Sequence, residues 1–286
     1  MSSDMKSAVT IALVPEARRG PFVFHACPDL SAACDVTLEE CCERAAELGF
    51  DSVEIFPPDS ETFPREELRA LLSAHGLGLA AVGTGAGWVK HGLQLCDADA
   101  TKRAAAAAFI AGIIDVAAEF GAPAIIGSMQ GRTSPTVPRD AALDLLADAL
   151  ATLGERAAGH GQVLLYEPLN RYETDLFNRQ ADATAFLEAR GLGHVRLLCD
   201  LFHMNIEEAD IAETLRGIGR HVGHVHWADS NRRAMGLGHT PPEPIVQALR
   251  DIGFAGHLSA EVFPLPSSDE AAAASIESFR LNARLQ

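Results

Sequence analysis

Eight short apolar runs alternate with eight helical patterns along this 286-residue chain, and no proline- or serine-rich linker interrupts them. The runs are continuously apolar, which is typical of parallel strands buried on both faces. This rhythm predicts an α/β fold, a single-domain (β/α)8 TIM barrel over residues 1–286. The predicted strands are Val9–Val14, Ser52–Phe56, Gly78–Val82, Ala124–Ile126, Val163–Tyr166, Val195–Cys199, Val222–His226 and His257–Val262.

The helical patterns carry their own start and stop signals. Thr37 followed by Glu40 predicts a capping box at the start of the first helix, and Gly49 predicts its end. The other predicted helices are Arg65–His75, Thr101–Phe120, Arg139–Gly159, Gln180–Arg190, Glu207–Ile218, Pro242–Ile252 and Asp269–Ala283.

A doubly wound sheet is the competing architecture, and it requires a phosphate-binding glycine turn after the first strand. The residues that follow the first run, Val14 to Ala17, do not form such a turn. The glycine-rich turn Gly83–Gly87 follows the third run, and we expect neither a regular helix directly after it nor a P-loop lysine. We interpret it as a loop that gives room at the barrel mouth.

The composition excludes several classes of function. A net charge of −16 would repel a phosphate backbone, so we expect no nucleic-acid partner. No apolar stretch reaches the roughly 18 residues of a membrane helix, and the first residues lack a signal-peptide core. The cysteines show no CxxC pairs, which predicts buried thiols and a cytoplasmic protein. They are Cys27, Cys34, Cys41, Cys42, Cys96 and Cys199.

Polar side chains close each of the last four predicted strands. They are Glu167, Asp200, His226 and Glu261. Taken singly, each has an ordinary interpretation as a salt-bridged loop residue or a hydrogen-bonded core residue. Because parallel barrel strands all end on one face, we expect the four to converge there.

Three carboxylates and one imidazole form an oxygen-rich set that suits Mn²⁺, Mg²⁺ or Co²⁺. Glu167 and Glu261 come from strands well apart around the barrel. On opposite sides of a substrate, they would remove a proton from one face and return one to the other. This pattern predicts metal-assisted epimerisation next to a ketone.

Further polar groups follow these strands on predicted loops, where substrate-positioning residues of barrel enzymes concentrate. They are Glu173, His203 and Arg232, and capping or surface ion pairing is an equally good interpretation of each. His224 lies on the same strand face as His226 and either packs in the barrel or touches substrate. Glu54 and His25 are candidates for the barrel mouth with structural roles.

Several sequence blocks resemble the ketose 3-epimerase branch of the xylose-isomerase-like sugar isomerase/epimerase superfamily. They are EPLNRYETDLFN, DLFHMNIEE, HVHWADSNR, AEVFP, VGTGAGWVKHGLQL and AIIGSMQGR, in colinear order over most of the chain. Within the branch, the chain is most similar to 5-keto-L-gluconate epimerases. The N-terminal third departs more from the simple ketose epimerases.

The resemblance implies one divalent metal, usually Mn²⁺, held by Glu167, Asp200, His226 and Glu261, with the two glutamates as the proton-transfer pair. It places Glu173, His203 and Arg232 around the substrate's carbonyl and first hydroxyls, and it implies a dimer or tetramer. Arg132 is a candidate for meeting the carboxylate of a keto-acid substrate, and an ordinary surface arginine is an equally good interpretation of it.

Other activities of the same superfamily stay open at this point. A hydroxypyruvate isomerase has similar strand-end motifs, and an inosose-type dehydratase needs similar proton abstraction. An endonuclease IV-like enzyme would need several zinc ions and a basic surface, which this acidic chain lacks. A barrel that binds a sugar without converting it would not need the acid–base pair.

Overall fold

A closed parallel barrel surrounded by helices forms the fold in the computed structural model, which describes residues 5–26 and 36–284. The strands are β1 Lys6–Ala12, β2 Phe24–His25, β3 Ser52–Phe56, β4 Gly78–Gly83, β5 Ala124–Ile126, β6 Leu164–Tyr166, β7 Val195–Asp200, β8 Val222–His226 and β9 His257–Ala260. The α-helices are α1 Leu38–Leu48, α2 Arg65–His75, α3 Ala86–His91, α4 Ala100–Ala118, α5 Arg139–Gly159, α6 Gln180–Ala189, α7 Leu201–Glu207, α8 Ile211–Ile218, α9 Pro242–Asp251 and α10 Ser268–Phe279.

The barrel closes because β1 pairs with both β3 and β9. Ala8 lies opposite Ser52 of β3 and also opposite Ser259 of β9. The remaining long strands follow in chain order and every pairing is parallel, which confirms the predicted (β/α)8 TIM barrel. The two-residue strand β2 was not predicted; it pairs with the last two residues of β1.

The barrel interior is apolar on one side and polar on the other. Ala81, Ile125, Leu165 and Leu198 of β4 to β7 form a small buried cluster separate from the main core between strands and helices. Because side chains alternate along a strand, these four face inward. Polar residues are buried in the other strands, and they include Thr10, Glu54, His224 and Ser259. The polar side of the interior therefore extends over β8, β9, β1 and β3.

The predicted helix starts are confirmed where the capping signal was strong. Thr37 accepts a hydrogen bond from the Glu40 amide, and the Glu40 side chain accepts from the Thr37 amide. Gly49 ends this helix with φ of 82°, a conformation that glycine adopts without the penalty of a side chain.

The helix predicted over Glu207–Ile218 forms, but it begins four residues later, at Ile211. The structure has two helices, α7 and α8, and Asp210 caps the second by accepting from the Glu213 amide. The first begins directly after β7, because the Asp200 side chain accepts from the Phe202 amide. The helix α7 was not predicted, and the side-chain caps at Asp200 and Asp210 set where α7 and α8 begin.

Two expectations for the N-terminal half also need correction. The first strand spans Lys6–Ala12, earlier than Val9–Val14, because pairing with β9 begins at Lys6. A short helix, α3, does open directly after Gly85, where none was expected. Its residue Gly87 lies so close to Met129 that a Cβ would meet the sulfur at 2.4 Å, so a glycine is needed for packing there.

The prediction of buried thiols is confirmed for the described residues. Cys41, Cys42, Cys96 and Cys199 are free and buried, whereas Cys27 and Cys34 lie outside the described residues. Within residues 5–26 and 36–284, no helix has the length and apolar character needed to cross a membrane.

Alanine substitutions at two separate glycines, Gly223 and Gly217, test the packing of the barrel interior. A Cβ at Gly223 in β8 would lie 2.5 Å from the Arg196 Cβ and 2.8 Å from a Leu165 methyl. We expect Gly223→Ala to lower the free energy of unfolding by about 1–3 kcal/mol through overpacking. Gly217 is the matched control, because a Cβ there meets nothing within 4 Å.

Because Gly217 lies inside α8, Gly217→Ala should raise the free energy of unfolding by up to about 1 kcal/mol. Urea denaturation of both variants is the measurement. Equal stability of the two variants would contradict this account of the interior.

Candidate metal centre

Four strand ends bring the predicted ligand candidates together. Glu167 follows β6, Asp200 ends β7, His226 ends β8 and Glu261 follows β9. One ligand atom from each lies within 4.8 Å of the others, and all four residues are buried. Four consecutive strands that end on one face of the barrel therefore create the cluster.

The Nδ1 atom of His226 lies in the middle of the carboxylates. It is 3.8 Å from Glu167 Oε1, 3.7 Å from Asp200 Oδ2 and 3.4 Å from Glu261 Oε2. This buried nitrogen has no hydrogen-bond partner among the described residues. An orphaned buried nitrogen facing three carboxylates fits a divalent cation with hard oxygen ligands, such as Mn²⁺, Mg²⁺ or Co²⁺.

The other ring nitrogen of His226 has a hydrogen-bond partner. Its Nε2 lies 3.0 Å from Glu54 Oε1, and the second oxygen of Glu54 lies 2.7 Å from His224 Nε2. Burial alone would raise the pKa of the Glu54 carboxyl, but the imidazoles of His226 and His224 hold that pKa well below its usual value. Glu54 therefore contacts both His224 and His226, and it lies on the side of the His226 ring that faces away from the carboxylate cluster.

The carboxylates of the cluster differ in their electrostatic surroundings. Burial, with the charges of Glu261 and Asp200, raises the pKa of Glu167 well above its usual value. Burial also pushes the pKa of Glu261 upward, but His226 and Arg232 outweigh it and lower that pKa. A bound cation would favour the ionised form of all the carboxylates that surround it.

His203 directs a ring nitrogen into the same space. Its Nε2 lies 3.5 Å from Asp200 Oδ2 and 3.7 Å from Glu167 Oε1, and it has no hydrogen-bond partner in the described chain. Its Nδ1 lies 2.7 Å from Asn170 Nδ2, which also donates to Glu173 Oε1 at 3.0 Å. Since an amide nitrogen only donates, His203 carries its proton on Nε2, aimed into the site.

Asn170 was missed by the sequence interpretation. The signal was its place midway between Glu167 and Glu173, as the one amide side chain in the block EPLNRYE. The Asn170 side chain is buried and contacts both Glu173 and His203. These two contacts identify it as part of the site.

Arg232 is held in place from several directions. Its Nη2 lies 2.6 Å from Glu261 Oε2 and 3.5 Å from Asp200 Oδ2, and its guanidinium lies 4.9 Å from the centre of the Phe202 ring. Its φ of 57° is unusual for a residue other than glycine. Asp229 fixes the surrounding loop by accepting hydrogen bonds from four backbone amides, those of Ser230, Gly236, Gly238 and Thr240.

The two remaining candidates lie outside this cluster. Arg132 is exposed, and its Nη2 donates to the backbone carbonyls of Tyr172 and Glu173, so it supports the loop that carries Glu173. Its contact with a substrate carboxylate stays a prediction. His25 Nε2 lies 3.0 Å from the carbonyl of Ala17, and the residue is not among those that line the central cavity.

A cavity of about 430 Å³ opens over the cluster. Glu167, Glu173, His203, Arg232 and Glu261 line one side of it. The other side is mainly apolar, with Arg19 and Glu16 as its charged members; its apolar residues include Phe22, Phe56, Trp88 and Val89. The volume and the few convergent polar groups suit a small organic molecule.

Gly127 sets the room available to Glu167. A Cβ at this position would lie 2.5 Å from Glu167 Oε2. Gln130 fixes the same turn, because its Nε2 donates to the backbone carbonyls of Gly127 and Glu167 and its Oε1 accepts from the Tyr166 hydroxyl. The strand end is therefore rigid, and the glycine leaves the space into which the carboxylate extends.

We expect Gly127→Ala to weaken Mn²⁺ binding about tenfold or more, because its methyl group would displace the Glu167 carboxylate. Isothermal titration with Mn²⁺ measures this effect. Gly85→Ala is the matched control, since its Cβ would meet only Ser128 Oγ at an ordinary 3.7 Å. Unchanged Mn²⁺ affinity in Gly127→Ala would contradict the assigned position of the carboxylate.

Comparison with known proteins agrees with this geometry. The family model described as xylose isomerase-like TIM barrel matches residues 42–281. A D-psicose 3-epimerase of Agrobacterium fabrum is 32% identical over 228 residues, covering 77% of this chain and 78% of that protein. A 3-dehydro-D-guloside 4-epimerase of Escherichia coli is 32% identical over 226 residues, covering 75% and 83%.

A solved structure supports the fold. The D-psicose 3-epimerase of Clostridium cellulolyticum H10, crystallised with D-tagatose, superposes with a TM-score of 0.78 at 22% identity. The match covers 98% of this chain and 99% of that one. The chain therefore belongs to the xylose isomerase-like TIM barrel family, in the branch that contains the sugar epimerases.

Proposed function

We propose that this protein is a divalent-metal-dependent sugar epimerase that inverts the carbon next to the carbonyl of a ketose or keto-aldonate. The observation that carries the proposal is the placement of two glutamates, Glu167 and Glu261, at one cavity within the four-residue candidate metal centre. The names of both epimerase relatives also describe inversion at a carbon that neighbours a carbonyl.

The proton-transfer steps use the two glutamates in opposite roles. In one direction, the Glu167 carboxylate removes the proton from the carbon next to the carbonyl, and the electron pair of that bond moves toward the carbonyl oxygen. As the electron pair returns to that carbon, Glu261, which starts this direction protonated, delivers its proton to the opposite face and the configuration inverts. Glu167 ends with the abstracted proton, and proton exchange with water returns the pair to its starting state. The reverse direction exchanges the two roles, so no redox partner is consumed.

Glu167, Asp200, His226 and Glu261 would hold the metal, with Mn²⁺ our first choice and Mg²⁺ or Co²⁺ as alternatives. When bound, it supplies positive charge that stabilises the oxygen on which negative charge develops. His203 presents an N–H to the same region, and Arg232 presents a guanidinium. Glu173, held by Asn170, can accept a hydrogen bond from a substrate hydroxyl.

The first substrates to test are 5-keto-L-gluconate and D-tagaturonate. Our support for a keto-acid is the sequence resemblance, together with two arginines near the mouth. Arg19 lines the far side of the central cavity, and Arg132 lines an adjoining one of about 180 Å³.

We also propose a cytoplasmic location and a homo-oligomer, a dimer or tetramer, from the same sequence resemblance.

Product stereochemistry separates this proposal from the two alternatives of the superfamily. A hydroxypyruvate isomerase-like enzyme would move the carbonyl between carbons, and an inosose-type dehydratase would release water. Inversion without either change supports the epimerase.

We expect Glu167→Gln and Glu261→Gln each to lower the epimerisation rate by at least about 100-fold, because an amide cannot accept the proton. Each variant keeps one base, so in D₂O it should still exchange the proton of only one of the two epimers. Proton NMR of each separate epimer measures both effects.

The matched control is Glu243→Gln, an exposed residue in the first turn of α9. Because both catalytic glutamates are also candidate ligands, the Mn²⁺ content of each variant is determined alongside. Near wild-type turnover in both variants would contradict the proposed mechanism.

A further inference from the structure

We propose that Glu54 is a positioning residue that fixes the ring of His226 so that Nδ1 faces the metal. This inference rests on the proposed metal centre and extends it to a side chain outside the ligand set. Glu54 lies in the middle of β3, on the opposite side of His226 from the three carboxylates.

The contact geometry favours hydrogen bonds over a second cation. Glu54, His224 and His226 are close enough to be considered as a metal-binding group. However, the two imidazole Nε2 atoms lie 2.7 and 3.0 Å from separate oxygens of one carboxylate, which are direct hydrogen-bond distances. The carboxylate therefore accepts from both rings, one at each oxygen.

The tautomer of His226 follows from this contact. An ionised carboxylate only accepts hydrogen bonds, so Nε2 of His226 must carry a hydrogen. In a neutral imidazole, the other nitrogen then offers a lone pair. That nitrogen, Nδ1, is the buried atom that faces Glu167, Asp200 and Glu261 without a hydrogen-bond partner among the described residues.

His224 gives Glu54 a second anchor. The Leu198–His224 pair and the Asp200–His226 pair are in register between β7 and β8, so His224 lies one layer deeper in the barrel than His226. The carboxylate is thus held at both oxygens and is completely buried. A carboxylate that cannot rotate keeps the His226 ring in one orientation.

Removing the charge of Glu54 while keeping its shape tests this role. We expect Glu54→Gln to weaken Mn²⁺ binding about 10- to 100-fold, because the amide neither supplies negative charge nor fixes the His226 tautomer. Isothermal titration of the folded, metal-free protein with Mn²⁺ is the readout, and it does not depend on turnover.

Ser52 provides the matched control. It lies two residues before Glu54 on the same face of β3, and its Oγ is 3.0 Å from His257 Nε2. Ser52→Ala therefore also removes a hydrogen bond between a β3 side chain and a histidine, without touching His226. Wild-type affinity in Glu54→Gln, or an equal loss in Ser52→Ala, would overturn the proposal.

A measurement on the unmodified chain covers the case in which Glu54→Gln does not fold. Long-range proton–nitrogen NMR of ¹⁵N-histidine-labelled protein, metal-free and with Mg²⁺, reports which ring nitrogen carries hydrogen. In the Mg²⁺-loaded protein we expect hydrogen on Nε2 and none on Nδ1 of His226, and the reverse would overturn the proposal. Failure of wild-type protein to bind Mn²⁺ would instead contradict the proposed metal centre.

Discussion

The packing of three carboxylates around one imidazole nitrogen is the constraint on which this structure depends. Glu167, Asp200 and Glu261 are all buried within a few ångströms of His226 Nδ1. Buried negative charges repel one another and lose their hydration, so they persist only where positive charge is supplied. Arg232 supplies part of it from the β8–α9 loop, and the chemistry of the donor set suits a divalent cation for the rest.

The need to hold the four candidate ligands in place accounts for a barrel interior that is apolar on one side and polar on the other. Beneath the strand ends of β4 to β7, the interior is filled by small and branched apolar side chains. On the side of β8, β9, β1 and β3 it holds Glu54 and His224, and Glu54 contacts both His224 and the back of the His226 ring. The polar side therefore holds the His226 ring in position. The apolar side packs the strands that carry Glu167 and Asp200, and both arrangements limit the movement of the ligands, as precise proton transfer requires.

The sequence predicts the ligand cluster because Glu167, Asp200, His226 and Glu261 each interrupt an apolar run at its end, and a barrel brings strand ends together. It cannot predict the contact of Glu54 with His226. Glu54 lies between two apolar residues, and its partners are 170 and 172 residues away along the chain. The helix α7 and the start of α8 at Ile211 were missed because the capping aspartates Asp200 and Asp210 were not recognised. Asn170 was missed because its role depends on the positions of Glu173 and His203 in space.

Proton exchange next to the substrate carbonyl tests the central claim most directly. The Mn²⁺-loaded protein is incubated in D₂O with ketohexoses and keto-hexonates, including 5-keto-L-gluconate, and followed by proton NMR. The account predicts loss of the signal from the carbon beside the carbonyl, with growth of the epimer at that carbon. Absence of exchange with every member of the panel would contradict the account and would favour the dehydratase or the hydroxypyruvate isomerase alternative.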